Sequence, residues 1–148
     1  MKVREILRVK GGTLFTATPE QPLSAAIALM AELDAGSLVV MESGEMVGML
    51  TFREVLKSLK DGGACPPDMK VADVMVRNPV TAYPDMEANE LRRLMIEKHS
   101  RYLPVLDGKL LMGVVSFLDV AKAVLEEQGL ENLMLKNYIK NWPDEPAA

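Results

Sequence analysis

At 148 residues the chain is long enough for one compact domain, or for two half-sized units that share a core. With 49% of residues apolar and 26% charged, the composition is that of a folded globular protein and excludes a disordered tail. A net charge of −4, with no Lys/Arg cluster on a recognisable helix or strand, argues against nucleic acid as a partner.

The opening Met1-Lys2-Val3-Arg4-Glu5-Ile6 carries charges where a signal peptide needs apolar residues. The longest apolar run, Leu110 to Val115, is far short of a membrane span, so a cytoplasmic protein without a membrane partner is expected. Val3-Arg4-Glu5-Ile6-Leu7 returns 68 residues later as Val71-Ala72-Asp73-Val74-Met75. Thr16-Ala17-Thr18-Pro19-Glu20 returns 65 residues later as Thr81-Ala82-Tyr83-Pro84-Asp85, so three residues are inserted near Lys10-Gly11-Gly12. The shift of 65 then holds without a gap, pairing Leu29-Met30 with Leu94-Met95, Gly48 with Gly113, Phe52 with Phe117 and Val55 with Val120. Two copies of one unit are present.

In the first copy Leu23, Ala26, Ile27 and Met30 fall at helical spacing. The apolar run Ser37 to Met41, the turn Glu42-Ser43-Gly44 and the run Met46 to Leu50 then read as a hairpin. A helix follows from Phe52 to about Lys60. The Gly- and Pro-rich stretch from Lys60 to Asp68 cannot continue a helix or a sheet and marks a linker over 61–69. Cys65, the single cysteine, lies in this stretch, has no partner for a disulfide or a metal, and reads as a plain loop thiol. The second copy repeats the order: a helix over Ala88 to Lys98, a hairpin of Tyr102 to Leu106 with Leu111 to Val115, and a helix from Phe117 to about Glu127. Each unit is β-α-β-β-α, in repeats 1–60 and 70–128. The tail, 129–148, is expected to form a separate helix with Leu130, Leu133, Met134, Tyr138 and Ile139 on one face, ended after Trp142 by Pro143. Such a stripe must be buried against its own domain or a second chain.

Asp73-Val74-Met75-Val76-Arg77-Asn78-Pro79-Val80-Thr81, the strand from Tyr102 to Leu106 and the turn Gly113-Val114-Val115-Ser116-Phe117-Leu118-Asp119 together resemble a tandem pair of CBS (cystathionine-β-synthase-type) domains. The resemblance covers nearly the whole chain. It implies an α/β (α+β) fold in which the two repeats pack through their sheets with pseudo-twofold symmetry, leaving two related clefts. It also implies a regulatory module that senses an adenine nucleotide, AMP, ADP or ATP before NAD or S-adenosylmethionine. The output passes through the packing of a homodimer to an unidentified protein target. The alternative is a dimerising scaffold with empty clefts.

Ser116 stands where a strand ends and a helix begins, so its hydroxyl and the free N–H groups of the helix start suit a phosphate. Asp119 suits the two hydroxyls of a ribose and is, by the resemblance, the ribose-binding acid. Arg101, ahead of the preceding strand, is expected on the same side, against the phosphates. Ser-x-x-Asp at a helix start is equally a capping box. In the first copy Thr51 and Glu54 keep the frame with an acid one methylene longer, and with Gly36-Ser37 in place of Arg101-Tyr102; there the capping reading is favoured. The family arrangement joins each turn to the opening strand of the other repeat. Val114, Ser116 and Asp119 would then face Thr13, Leu14 and Phe15, and Glu54 would face Asn78, Pro79, Val80 and Thr81. His99, the sole histidine, reads as a solvent-facing residue at a helix end. With no Gly-x-Ser-x-Gly elbow, Gly-x-x-x-x-Gly-Lys loop or Gly-x-Gly-x-x-Gly fingerprint, an enzyme is not expected.

Overall fold

The computed structural model describes residues 1–11, 13–60 and 62–140. In chain order its elements are α1 (Val3–Lys10), β1 (Thr16–Ala17), α2 (Leu23–Leu33), β2 (Ser37–Glu42), β3 (Glu45–Thr51) and α3 (Phe52–Ser58), then α4 (Val71–Val74), α5 (Ala88–Lys98), β4 (Tyr102–Asp107), β5 (Leu110–Ser116) and α6 (Phe117–Lys140). The fold is mixed α+β, built on two antiparallel hairpins, β2–β3 and β4–β5, each flanked by helices. Their registers match residue for residue, and each ladder slips at the same point, between Val40 and Met41 and between Val105 and Leu106. The opening strand of each unit is shorter than its neighbours: β1 pairs in parallel with β2 through two residues, and its second-copy counterpart is a single bridge from Ala82 to Val105.

The helical periodicity buries the side it predicts. Leu23, Ala26 and Met30 of α2, and Leu91 and Met95 of α5, are inaccessible or nearly so. Both helices stop on a left-handed residue, Asp34 (φ 51°) and His99 (φ 53°), which turns the chain into the following strand. Asp and His are among the side chains that tolerate this conformation best. His99 is thus an exposed helix cap.

The two cores exchange their opening helices. Val3 and Ile6 of α1 pack with Leu91, Met95, Leu103 and Val105 of the second copy, whereas Val71 and Met75 at α4 pack with Leu23, Leu38 and Leu50 of the first. Backbone hydrogen bonds mirror each other across the exchange: Val3 and Arg4 N–H donate to the carbonyls of Met86 and Pro84, as Val71 and Ala72 donate to those of Gln21 and Pro19. The acids of the repeated Pro-Glu and Pro-Asp pairs follow suit, Glu20 pairing with Lys70 at 2.6 Å and Asp85 with Arg4 at 2.7 Å. Neither half buries its hydrophobic face without the other, so the two repeats share one packing arrangement.

The C-terminal region differs from expectation. α6 runs without a break through Gly129, so the final helix of the second unit and the predicted tail helix are one. A glycine inside a helix costs about 1 kcal/mol relative to alanine, which does not stop a helix that is already propagating. Of the predicted stripe, Leu133 and Met134 are exposed. The side chains of Leu130, Tyr138 and Ile139, like Trp142 and Pro143, lie outside the described residues. No helix among the described residues is long and apolar enough to cross a membrane.

Candidate functional site

The two strand-to-helix turns carry the acids singled out in the sequence. Thr51 ends β3 and precedes α3, where its N–H (2.9 Å) and its Oγ1 (2.7 Å) both donate to Glu54 Oε1. The extra methylene of Glu54 brings its carboxylate back over the helix start, and the residue is buried, only 6% exposed. Its Oε2 takes no hydrogen bond from the described residues. Around this turn opens a cavity of about 620 Å3 lined by Thr51, Glu54, Asn78, Pro79, Val80 and Arg101, among others. That volume is within the range of small-molecule sites. Glu54 is therefore brought together with the expected opening segment of the other repeat, although Thr81 is exposed and outside the lining. Asn78 holds a left-handed backbone (φ 51°) at this rim, bending the chain after α4 around the mouth.

Three further features of the cleft were not picked out by the sequence reading. Arg53 and Lys57, one turn apart on α3, add two cations to the lining, and Arg53 Nη2 also donates to the His99 carbonyl of the other repeat. Their signal was the spacing of four between them, which puts both on one helix face. Tyr102 also lines the cleft and lies against Gly36, where a methyl group would sit 1.8 Å from the phenol oxygen.

In the second turn the capping geometry is reciprocal: Ser116 N–H donates to Asp119 Oδ2 (2.9 Å), and Asp119 N–H donates to Ser116 Oγ (3.1 Å). Lys10, the last residue of α1, reaches the same Oδ2 at 2.8 Å and donates to the Val114 carbonyl, also at 2.8 Å. Burial pushes the Asp119 carboxyl up, but the hydrogen bonds from Lys10 and Ser116 and the charge of Lys10 outweigh it, and the net shift is downward. Lys10 was missed as a site residue; its only trace was the three-residue insertion beside it. Arg101 does not complete this turn as expected. Its carbonyl accepts from Phe117 N–H (2.8 Å), but the residue lines the cleft of Thr51 and Glu54. The β4 hairpin holds the backbone beside its own turn, while the packing of the two repeats puts the residue into the other's cleft. Thr13 and Leu14 are exposed, and Phe15 packs against the first core with its carbonyl accepting from Val39 N–H (3.1 Å).

The turn glycines are used for contacts within the chain. A methyl group at Gly48 would meet the Val76 carbonyl at 2.7 Å, and one at Gly113 would meet Leu7 at 3.0 Å. Among the described residues, no three His, Cys, Asp or Glu side chains gather to hold a metal ion.

A family model described as CBS domain matches residues 3–61 and 71–126. The CBS domain-containing protein YhcV of Bacillus subtilis is 33% identical over 109 residues, covering 72% of this chain and 75% of its own. A mitochondrial CBS domain-containing protein of Arabidopsis thaliana, CBSX3, is 28% identical over 147 residues, covering 93% of this chain and 71% of its own. The solved structure of a protein with CBS domains from Burkholderia ambifaria superposes with a TM-score of 0.79 at 30% identity, over 86% of this chain and 96% of that one.

Proposed function

This chain belongs to the CBS domain family as a tandem pair, and from that premise we propose that it is a ligand-sensing regulatory module whose cleft beside Glu54 takes an adenine nucleotide. The observation that carries this reading is Glu54 in the lining of the cavity, with one carboxylate oxygen held by Thr51 and the other taking no hydrogen bond from the described residues. That second oxygen is an open acceptor, and the paired hydroxyls of a ribose are donors that would satisfy it. Arg53, Lys57 and Arg101 around the same cavity favour an anionic ligand. AMP, ADP and ATP therefore rank ahead of the cationic S-adenosylmethionine, with NAD between them. Val76 and Val80 offer apolar surface for the base.

The output in this reading is a change in how two copies pack, in a cytoplasmic protein that catalyses no reaction of its own. Phe52 and Leu56 on α3, and Leu118 and Leu125 on α6, are exposed in the single chain, and a homodimer would cover them. α3 also carries the two cations of the cleft, so a ligand that repositions α3 would alter the dimer face. The second reading, a ligand-free scaffold, is favoured by the second turn, where Ser116 and Asp119 satisfy each other as a cap.

Thermal unfolding with millimolar AMP, ADP, ATP, NAD or S-adenosylmethionine separates the two, since a ligand of the folded state adds about 2.7 kcal/mol of stability at a hundredfold excess over Kd and so raises Tm. The expected result is a shift with the adenosine phosphates that Glu54→Gln removes. No shift with any of the five leaves the scaffold. Light scattering on the same samples reads the dimer, and a monomer at all concentrations overturns that part.

A further inference from the structure

The two strand-to-helix turns are related by the repeat, and the position that follows the opening helix is filled differently beside each. After α4 the chain extends, and Val76 N–H donates to the Met49 carbonyl (2.8 Å) while Met49 N–H donates to the Val76 carbonyl (3.0 Å). The repeat counterpart of Met49 is Val114, whose carbonyl accepts instead from the ammonium of Lys10 (2.8 Å). α1 runs eight residues where α4 runs four, so the inserted residues form an extra helical turn across β5. That turn seats Leu7 against Gly113 and ends at Lys10, and Gly11 (φ 94°) then lets the chain leave the helix. The ammonium that replaces the backbone donor also pairs with Asp119 Oδ2 at 2.8 Å. Glu54 has no cation within ion-pair distance among the described residues.

We propose that Lys10 is a built-in latch on the second cleft: it neutralises the acid that would receive a ligand hydroxyl, so the chain offers one ligand-competent cleft rather than two. The inference rests on the reading of the Glu54 cleft as a nucleotide site. An incoming ribose at Asp119 would have to share or displace a cation held by two acceptors, and the turn that carries the cation covers the strand edge. Three inserted residues thus convert a symmetric pair of sites into an open one and a closed one. A sensor with a single site responds hyperbolically, without cooperativity between clefts of one chain.

Calorimetric titration with ATP tests this on the full chain. The wild type is expected to bind one ATP per chain, Lys10→Met two, and Lys10→Met with Asp119→Asn one again. A wild type that binds two, or a Lys10→Met variant that still binds one, overturns the latch. If the wild type binds none and Lys10→Met binds one in an Asp119-dependent manner, the latch stands and the Glu54 reading falls. If neither binds, the nucleotide reading fails, and the latch is decided without ligand by the urea midpoints of Lys10→Met, Asp119→Asn and the double variant. A latch makes the second substitution shift the midpoint less in the presence of the first; additive shifts overturn it.

Discussion

In the first turn Glu54 gives one oxygen to the Thr51 N–H and hydroxyl and forms no ion pair among the described residues; in the second, Asp119 gives one oxygen to both the Ser116 N–H and the Lys10 ammonium. The turns stand 65 residues apart in the same frame and hold the same backbone cap, so their difference lies in one methylene and in what the opening helix of each copy places nearby. The longer acid folds back, is buried and borders a cavity; the shorter one stays partly exposed and is held by a lysine. A cap motif therefore does not decide whether its acid is available to a ligand. What decides it is whether a cation within the chain has already claimed the charge.

The largest effect should come from exchanging the free acid. Glu54→Gln keeps the size and an acceptor for Thr51 but removes the charge, and a hydrogen bond to a charged group contributes about 1.5–3 kcal/mol. ATP affinity should fall roughly ten- to a hundredfold, read by calorimetry, whereas Asp119→Asn should leave it unchanged. The reverse outcome would exchange the roles assigned to the two clefts.

Next is Gly36, the counterpart of Arg101. Because a methyl group there would sit 1.8 Å from the Tyr102 oxygen and 2.4 Å from its ring carbon, Gly36→Ala must displace Tyr102 at the seam between the repeats. Overpacking of this kind costs about 1–3 kcal/mol, visible as a lower urea midpoint at unchanged m-value. An unaltered midpoint would mean that the seam yields freely and that the cleft is less fixed than its lining implies.

Much of this was legible in the residues. The constant shift of 65 predicted the duplication, and the hairpin registers repeat down to the position of the slip, because side-chain alternation and turn residues are local properties. Short Val3–Leu7 and Val71–Met75 matched each other in the sequence, but nothing local says that each completes the other copy's core. Arg101 was misjudged for the same reason: its neighbours in sequence belong to the Ser116 hairpin, while the packing of two sheets brings it to Glu54. Gly129 looked like a boundary because one glycine is a local signal, and helix propagation is not. Lys10 showed only as a gap in an alignment of the chain with itself.

A smaller effect is expected at the second cap. Asp119→Ala removes the acceptor for Ser116 N–H and the partner of Lys10, and loss of a cap costs about 1 kcal/mol. Chemical unfolding should show that loss while the ATP-induced rise in Tm persists. If the rise disappears as well, Asp119 belongs to the ligand site and the contrast between the turns is overstated.

The smallest effect isolates Lys10 itself. The carboxyl of Asp119 titrates below its ordinary value of 3.8 in the folded chain, with burial opposing the shift and the bonds and charge of Lys10 and Ser116 outweighing it. A depressed folded value means that the unfolded chain binds the proton more readily, so the stabilisation is fully present above about pH 4 and is lost as pH falls through the folded value. Lys10→Met removes the cation and leaves the burial, so the Asp119 carboxyl should titrate higher and the acid limb of the stability curve should begin at higher pH. At pH 7 the pair is partly exposed, 31% and 20% at its two side chains, and its contribution should be about 0.2–1 kcal/mol. Urea unfolding of wild type and Lys10→Met between pH 7 and pH 3 should thus give curves that differ at neutrality and converge in acid. Curves that stay parallel throughout would show that Lys10 stabilises through packing of its chain against β5 and not through its charge, and the electrostatic contrast between the two turns would lose its basis.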